Sequence, residues 1–167
     1  MKKNVSLKKG FTLLEILLVV GIIAILAGIV ILAINPAKQL GDTRNAQRRS
    51  DVLSIINAVY QYEIDNNGTA PTTIQPGTLA TCSATANLIA TSTDITIGKI
   101  NLYSTLVTTS STYLNAVPRD PLAASGATST GYGIVKDTTT GRITVCAPLS
   151  LGEGNIPAGG TMISVTR

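Results

Sequence analysis

Histidine and tryptophan are absent from this 167-residue chain, and phenylalanine occurs only once. Histidine is the side chain that enzymes use most often as a general base near neutral pH, so its absence excludes general-base catalysis by histidine. The sequence also contains neither a nucleophile elbow nor a glycine-rich phosphate loop that follows a strand. We therefore expect a protein that is not an enzyme, with no catalytic residues and no cofactor.

Charged residues are also scarce, at 13% of the chain. The formal net charge of +4 comes from 13 basic and 9 acidic side chains, and four of the lysines precede Gly10. The chain from Phe11 onward therefore carries nine side chains of each sign and is formally neutral. A nucleic-acid function inferred from the basic net charge would depend on the first nine residues alone.

The main apolar feature is one long uncharged run near the N-terminus. Residues 16–34 are nineteen consecutive residues without a charged or hydrogen-bonding side chain. As a helix, residues 11–34 would extend about 36 Å, which is enough to cross a bilayer core with some tilt. Glu15 stands at the start of this run. A carboxylate at membrane depth costs on the order of 3 kcal/mol, so we expect Glu15 to have a partner.

Two ordinary targeting segments combine a basic start with an apolar core. A cleaved secretory signal is disfavoured because the run is too long. It also ends without a small-x-small cleavage site, since isoleucine stands two residues before both Ala27 and Ala33. A plain signal anchor would explain the length and the lysines, but it gives no reason for Glu15.

The sequence KGFTLLE at residues 9–15, followed by the apolar run, resembles the class III leader of type IV pilins and pseudopilins. The resemblance implies that a prepilin peptidase cuts between Gly10 and Phe11 and methylates the new amine of Phe11. It also implies that Glu15 neutralises the Phe11 amine of a neighbouring subunit during filament assembly. The implied fold is α+β, with a long N-terminal stem helix packed on a small C-terminal antiparallel sheet.

The function implied by the resemblance is structural. A type IV pilus subunit, serving adhesion, motility or DNA uptake, is the leading interpretation, and a pseudopilin of a type II secretion system is the alternative. Such subunits wait as single-pass precursors in the cytoplasmic membrane until an assembly platform and its ATPase polymerise them into a homo-oligomeric filament, extracellular in the case of a pilus. Leu122 and Ala123 follow Pro121 where secretion pseudopilins often have tryptophan and glycine, which counts against the alternative. A membrane-anchored enzyme or binding domain is a third alternative.

The predicted organisation has four parts: a leader at residues 1–10, a transmembrane half of the stem at 11–35, an amphipathic half at 36–67 and a head at 68–167. Pro36 cannot donate a hydrogen bond to the carbonyl of Leu32, so we expect the stem to kink there. Asn67 and Gly68 tolerate a left-handed cap, so the stem should end near them.

Three arginines in the second half of the stem, Arg44, Arg48 and Arg49, raise the question of phosphate or DNA binding. Asp42 and Asp51 are possible partners within the same helix, and the alternative is that the arginines remain solvated or contact headgroups. The sequence supports no specific nucleic-acid site. The apolar flank of residues 52–64 is wide enough to cover a sheet and to contact other subunits as well.

The head shows its clearest pattern near the C-terminus. Residues 132–136 and 142–147 predict two strands joined by a hairpin loop at 137–141, and residues 161–166 are compatible with a third. Residues 115–121 predict a rigid turn because prolines flank a charged pair. Residues 94–97 are compatible with a short strand, and residues 100–107 with a short helix. A calcium site at Asp120 or Asp137 is disfavoured because no carboxylate cluster surrounds either residue, so we expect no metal.

Cys82 and Cys146 are the only cysteines. In an exported domain such a pair predicts one disulfide bond, which here would connect the variable part of the head to the second strand. Two free thiols are the alternative. Two sulfurs without any histidine make a poor metal site.

Overall fold

The computed structural model describes residues 10–91, 98–107 and 113–167. Two long helices come first, α1 at Leu13–Ile34 and α2 at Pro36–Asp65. Within the described ranges they are followed by strand β1 at Leu88–Ala90, the short helix α3 at Tyr103–Leu106, and strands β2 at Ser129–Lys136, β3 at Ile143–Ala147 and β4 at Ile163–Thr166. This arrangement confirms the predicted α+β class.

The stem is interrupted at Asn35, directly before Pro36. Asn35 adopts a left-handed conformation with φ of 47° and ψ of 79°, and its side-chain oxygen accepts a hydrogen bond from the backbone nitrogen of Lys38 at 3.3 Å. Pro36 occupies the first helical position of α2, where its missing N–H leaves no intrahelical bond unmade. Asn35 therefore ends one helix and caps the next.

The four strands form one antiparallel sheet in the order β1-β2-β3-β4. The β2–β3 hairpin lies where the sequence predicts it, and β2 begins three residues earlier, at Ser129. In the hairpin loop the carboxylate of Asp137 accepts hydrogen bonds from the backbone nitrogens of Thr139 and Thr140 at 2.7 and 2.9 Å. Strand β4 confirms the third strand, whereas β1 was not predicted.

The core lies between α2 and the sheet. Val52, Ile55, Ile56 and Val59 of α2 are fully buried, and α2 packs against β3 and β4. The predicted cover of the sheet by this apolar flank is thus confirmed. Leu53 and Ile64 of the same flank stay 42% and 69% exposed, so the sheet covers only part of this flank.

The segment between stem and sheet is only partly regular. The short helix expected within residues 100–107 is present as α3, and Leu106 is its buried residue. Ile100 instead forms an isolated parallel bridge with Ile89 of β1. The strand considered at residues 94–97 lies outside the described residues.

Candidate functional site

Helix α1 buries none of its residues within the chain. Each of its large apolar side chains remains half or more exposed. An apolar surface of this size is not stable in water, so it requires lipid or another protein as its cover. The helix is also long and apolar enough to cross a membrane. We therefore treat α1 as the part of the molecule that makes contacts outside its own chain.

The first turn of α1 is fixed by a capping box. The Thr12 hydroxyl oxygen accepts a hydrogen bond from the backbone nitrogen of Glu15 at 3.2 Å, and the Thr12 nitrogen donates to Oε2 of Glu15 at 2.9 Å. The Thr12 hydroxyl also donates to the same carboxylate oxygen at 2.8 Å. The carboxylate is thus turned back toward the start of the helix, where the helix dipole favours a negative charge.

This local role of Glu15 was missed by the sequence reasoning, which considered only a partner in a neighbouring subunit. The signal was present, because threonine followed three residues later by glutamate is the capping-box pattern. Immediately before this turn, Phe11 is 85% exposed, and no atom lies within 4 Å of a β-carbon built on Gly10. The Gly10–Phe11 peptide bond is therefore open to another molecule in this structure.

A second polar site joins the stem to the head. Arg48 of α2 is fully buried, and its Nε and Nη2 donate to the two carboxylate oxygens of Asp120 at 2.7 and 2.9 Å. Its Nη1 donates to Oδ1 of Asn45 at 2.8 Å and to the carboxylate of Glu153, which also accepts hydrogen bonds from Arg44. We call these five residues the Arg48 cluster.

The charges of the Arg48 cluster stabilise one another. Burial alone would lower the pKa of Arg48, but its hydrogen bonds to Asp120 and Glu153 outweigh that effect and raise the pKa. The hydrogen bond from Arg44, together with that from Arg48, lowers the pKa of the Glu153 carboxyl despite its burial. A buried arginine held by two carboxylates remains charged, and removing one partner would leave an uncompensated charge.

Asp42 and Asp51, which were considered as partners of the arginines, bind other groups of the chain. Asp51 accepts a hydrogen bond from the Tyr132 hydroxyl at 2.6 Å, and Asp42 accepts one from the backbone nitrogen of Asn155 at 2.9 Å. Burial and this contact with Asp51 raise the pKa of Tyr132, which keeps the phenol protonated as a donor. Asp42 and Asp51 are thus used to attach α2 to the head, and the arginines find their carboxylates elsewhere in the chain.

Two of the three arginines considered for nucleic-acid binding are already paired with carboxylates of the chain. Arg44 and Arg48 pair with carboxylates of the head, so their guanidinium groups are not available to phosphate. Arg49 is exposed, but a single exposed arginine is not a phosphate site. The sequence could not reveal this, because Asp120 and Glu153 lie 72 and 105 residues from Arg48.

The loop that carries Glu153 contacts α2 very closely. A β-carbon on Gly41 would lie 2.4 Å from the backbone nitrogen of Gly154, so a larger residue at position 41 would displace this loop. Gly154 has φ of +58°, a conformation that favours glycine. The side-chain nitrogen of Asn45 also donates to the backbone oxygen of Glu153 at 2.9 Å. Backbone contact on this scale positions the Glu153 carboxylate between Arg44 and Arg48.

Cys82 and Cys146 form a disulfide bond in the structure, with their Cα atoms 6.4 Å apart. The bond joins the loop before β1 to strand β3. Gly133 on β2 allows this approach, since a β-carbon there would lie 2.1 Å from the backbone oxygen of Cys82. The formation of this bond in the cell stays a prediction.

The two aspartates considered for calcium are engaged otherwise. Both carboxylate oxygens of Asp120 accept hydrogen bonds from Arg48, and Oδ1 also accepts one from the backbone nitrogen of Leu122. The loop nitrogens of Thr140 and Thr139 lower the pKa of the Asp137 carboxyl. Among the residues that the structure describes, no three histidine, cysteine or acidic side chains are grouped as metal ligands.

The prokaryotic N-terminal methylation motif matches residues 6–31, which include the Gly10–Phe11 junction and Glu15. An exposed apolar helix that carries this motif, followed by a helix packed on a small antiparallel sheet, is a pilin-like α+β arrangement. The resemblance of the chain to type IV pilins and pseudopilins is thereby confirmed.

The curated relatives are narrower than this class, because they share one protein name. The chain is 40% identical over 68 residues to type II secretion system core protein G of Aeromonas hydrophila and to that of Escherichia coli K12. Each match covers 41% of this chain, and 46% and 45% of the respective relatives. The protein of the same name from Pectobacterium carotovorum is 38% identical over 60 residues. The chain thus spans less than half the length of these curated relatives, and no solved structure gives a significant match.

Proposed function

We propose that this chain is a structural subunit of a pseudopilin filament in a type II secretion system. The supporting observation is that the matched relatives carry the name of one core protein of that system. The exposed α1 gives the proposal its physical basis, because a helix that buries nothing in its own chain must be covered by lipid or by other subunits.

The sequence alone favours a surface pilus over this function, and the relatives reverse that order. The absence of tryptophan and glycine after Pro121, which favours the pilus, is a single local feature of the head. Identity of 40% over 68 residues carries more weight than that one feature. A surface pilus remains the second candidate, because the methylation motif is typical of both kinds of filament.

The proposed maturation begins at the Gly10–Phe11 bond. A prepilin peptidase would cut there and methylate the Phe11 amine, and the exposure of both residues supports access to the bond. The cut creates a positive charge at the start of α1. Inside a filament that charge and the Glu15 carboxylate of a neighbouring copy would each be costly alone, and pairing them removes much of both penalties.

The membrane is the proposed waiting state. The precursor would span the cytoplasmic membrane through α1 with the head on the far side. An assembly platform and its ATPase would then move α1 from lipid into a bundle of other α1 helices. This transfer keeps the apolar side chains covered throughout, so it involves no loss of apolar burial.

The test separates the charge of Glu15 from its capping role. Glu15→Ala removes the charge, and we expect a cleaved, membrane-inserted subunit with a much lower filament yield. Thr12→Ala is the matched control, because it removes the hydroxyl half of the capping box at a cost of about 1 kcal/mol but keeps the Glu15 charge, so filaments should persist. Normal filament yield from Glu15→Ala would contradict the role of Glu15.

Two further measurements test the function itself. Mass spectrometry of assembled subunits should find methylated Phe11 at the N-terminus, and a subunit that still begins with Met1 would refute the maturation step. Deletion of the gene in its own host should abolish secretion of folded proteins while surface appendages remain visible by negative-stain microscopy. Loss of the appendages with normal secretion would instead identify a surface pilus.

A further inference from the structure

We infer that Asn67 is the acceptor of an N-linked glycan, which is transferred from an oligosaccharide carried on a polyprenyl diphosphate lipid. The inference rests on the proposed function only for the export of the head, because this transfer takes place outside the cytoplasm. The residues Asn67-Gly68-Thr69 have the pattern of an N-glycosylation acceptor, asparagine followed two residues later by serine or threonine. The same pattern occurs once more in the sequence, at residues 4–6, where the proposed maturation leaves it in the cytoplasm and removes it with the leader.

The acceptor asparagine lies at the tip of a tight turn directly after α2. The backbone nitrogen of Thr69 donates to the backbone oxygen of Asn66 at 3.1 Å, and the two residues between them have φ of 55° and 79°. Positive φ at both central positions is characteristic of a type I′ turn, for which Asn-Gly is a preferred pair. The nitrogen of Gly68 also donates to the backbone oxygen of Glu63 at 2.7 Å, which attaches the turn to the end of the helix. The turn therefore accounts for Asn67 and Gly68 without a sugar.

The turn does not account for the hydroxyl of Thr69. Thr69 is exposed, and its hydroxyl forms no hydrogen bond with the residues that the structure describes. Asn67 is exposed as well, and its side-chain amide has no partner within the same ranges. No atom lies within 4 Å of a β-carbon built on Gly68, so the chain leaves the approach to the turn open. An open turn with a free amide and a free hydroxyl two residues later is the context in which this pattern accepts a sugar.

Two other asparagines near the end of α2 show the contrast. The side-chain nitrogen of Asn66 donates to the backbone oxygen of Tyr62 at 2.8 Å, and the side-chain oxygen of Asn57 accepts a hydrogen bond from Arg167 at 2.9 Å. Neither asparagine is followed two residues later by a hydroxyl side chain. Both are therefore occupied in the fold and lack the acceptor pattern, which leaves Asn67 as the residue suited to modification.

The transfer forms one bond and breaks another. The side-chain nitrogen of Asn67 attacks the anomeric carbon of the first sugar, the bond from that carbon to the diphosphate oxygen breaks, and the lipid diphosphate leaves. The amide nitrogen loses one proton to a base of the transferase, and nothing is oxidised or reduced. The product remains a neutral amide, so the turn keeps its charge.

The position of the turn gives the glycan a physical consequence. Helix α2 has 30 residues and extends about 45 Å, so its last turn lies far from the end of α1. Ile64, which is 69% exposed, lies three residues before Asn67. A glycan on Asn67 hydrates this apolar end of the stem. It also requires that the turn face solvent in an assembled filament.

Mass spectrometry of the subunit purified from the membranes of its own host tests the inference. Trypsin releases residues 50–99 as one peptide after reduction, because neither lysine nor arginine occurs between Arg49 and Lys99. We expect this peptide to carry sugar residues that fragmentation locates on Asn67. Sugar on a serine or threonine, or an unmodified Asn67, would overturn the inference. Conversion of the Asn67 amide to an acid without any sugar would also overturn it and identify spontaneous deamidation.

Substitutions at exposed positions of the turn give a second readout that does not depend on the fold of the core. Asn67→Gln removes the acceptor nitrogen and Thr69→Ala removes only the hydroxyl, and each should abolish the modification. Thr69→Ser is the matched control, because it keeps the hydroxyl and should retain the glycan on at least half of the chains. Persistence of the glycan in Thr69→Ala, or its loss in Thr69→Ser, would contradict the assigned role of the hydroxyl.

The N-terminus of the same purified protein separates this inference from the proposed function. A chain that begins at Phe11 with an unmodified Asn67 would overturn the glycan and leave the maturation step intact. A chain that still begins at Met1 but carries the glycan would support the acceptor site and refute the maturation step.

Discussion

Helices α1 and α2 are separated by one residue, yet they differ in how much of their surface is buried within the chain. Helix α1 is apolar on every side and buries nothing within the chain, whereas α2 is largely polar and buries Val52, Ile55, Ile56 and Val59 against the sheet. A helix that is apolar all round needs a surrounding medium, while a one-sided helix needs one partner surface. Helix α1 therefore needs a cover from outside the chain, whereas α2 is covered by the head of its own chain.

The charges sharpen this contrast. The one carboxylate of α1, Glu15, is held only by Thr12 within its own turn. Arg48 of α2 is buried and pairs with Asp120 and Glu153, which lie in two loops far from it in the sequence. The first arrangement leaves the carboxylate exposed and so available to a new partner, whereas the second ties α2 to two loops of the head. We expect substitutions in α2 to affect folding and substitutions in α1 to affect assembly.

The largest expected effect is that of Arg48→Ala. It leaves Asp120 buried without its cation, so the free energy of unfolding should fall by about 3–5 kcal/mol. Arg49→Ala is the matched control, because Arg49 is exposed and its replacement should change stability by less than about 0.5 kcal/mol. Urea unfolding of the detergent-dispersed chain, followed by tyrosine fluorescence, measures both. All five tyrosines lie beyond α1, so the signal reports the head. Equal effects of the two variants would show that the cluster contributes nothing.

Loss of the disulfide should come next. Replacing Cys82 and Cys146 with serine frees a loop of 64 residues, and we expect stability to fall by about 2–4 kcal/mol. Membrane insertion should not change, because neither residue contacts α1. A reducing agent should destabilise the unaltered chain but not the double variant. If the reductant left the stability of the unaltered chain unchanged, the two thiols would be unbridged in the purified protein.

The fold could be predicted wherever local chemistry decides it. Pro36 interrupts a helix through its own covalent structure, and the β2–β3 hairpin follows from alternating apolar residues around a loop that contains Gly141. The contacts of Arg48 could not be predicted, since no periodicity connects Arg48 to Asp120 or to Glu153. The capping box of Glu15 was predictable, because Thr12 and Glu15 have the residue types and the spacing of that motif.

Protonation of Glu153 at acid pH should lower the free energy of unfolding by less than Arg48→Ala does. The pKa of Glu153 is lowered in the folded chain from an ordinary value of 4.5, chiefly by Arg44. Its contribution to stability is therefore complete above that ordinary value and is lost as the pH falls through the lowered folded value. Glu153→Gln should reduce the slope of stability against pH below about 4.5, where the ordinary carboxyl titrates. An unchanged slope would place the acid sensitivity in other carboxylates.

The smallest effect on folding should come from a substitution in α1. The same isoleucine-to-alanine change in α1 and in α2 compares the two halves of the stem directly. Ile23 and Ile56 have the same side chain, but Ile23 is 59% exposed and Ile56 is fully buried. Ile56→Ala should cost about 2–5 kcal/mol because it opens a cavity beneath the sheet. Ile23→Ala should leave the unfolding of the head within about 0.5 kcal/mol of the unaltered chain, since it removes no contact within the chain. In filaments Ile23→Ala should lower the yield, because the helix then loses packing against its neighbours. If Ile23→Ala destabilised the head as Ile56→Ala does, α1 would belong to the folded domain and could not move freely from lipid into a filament.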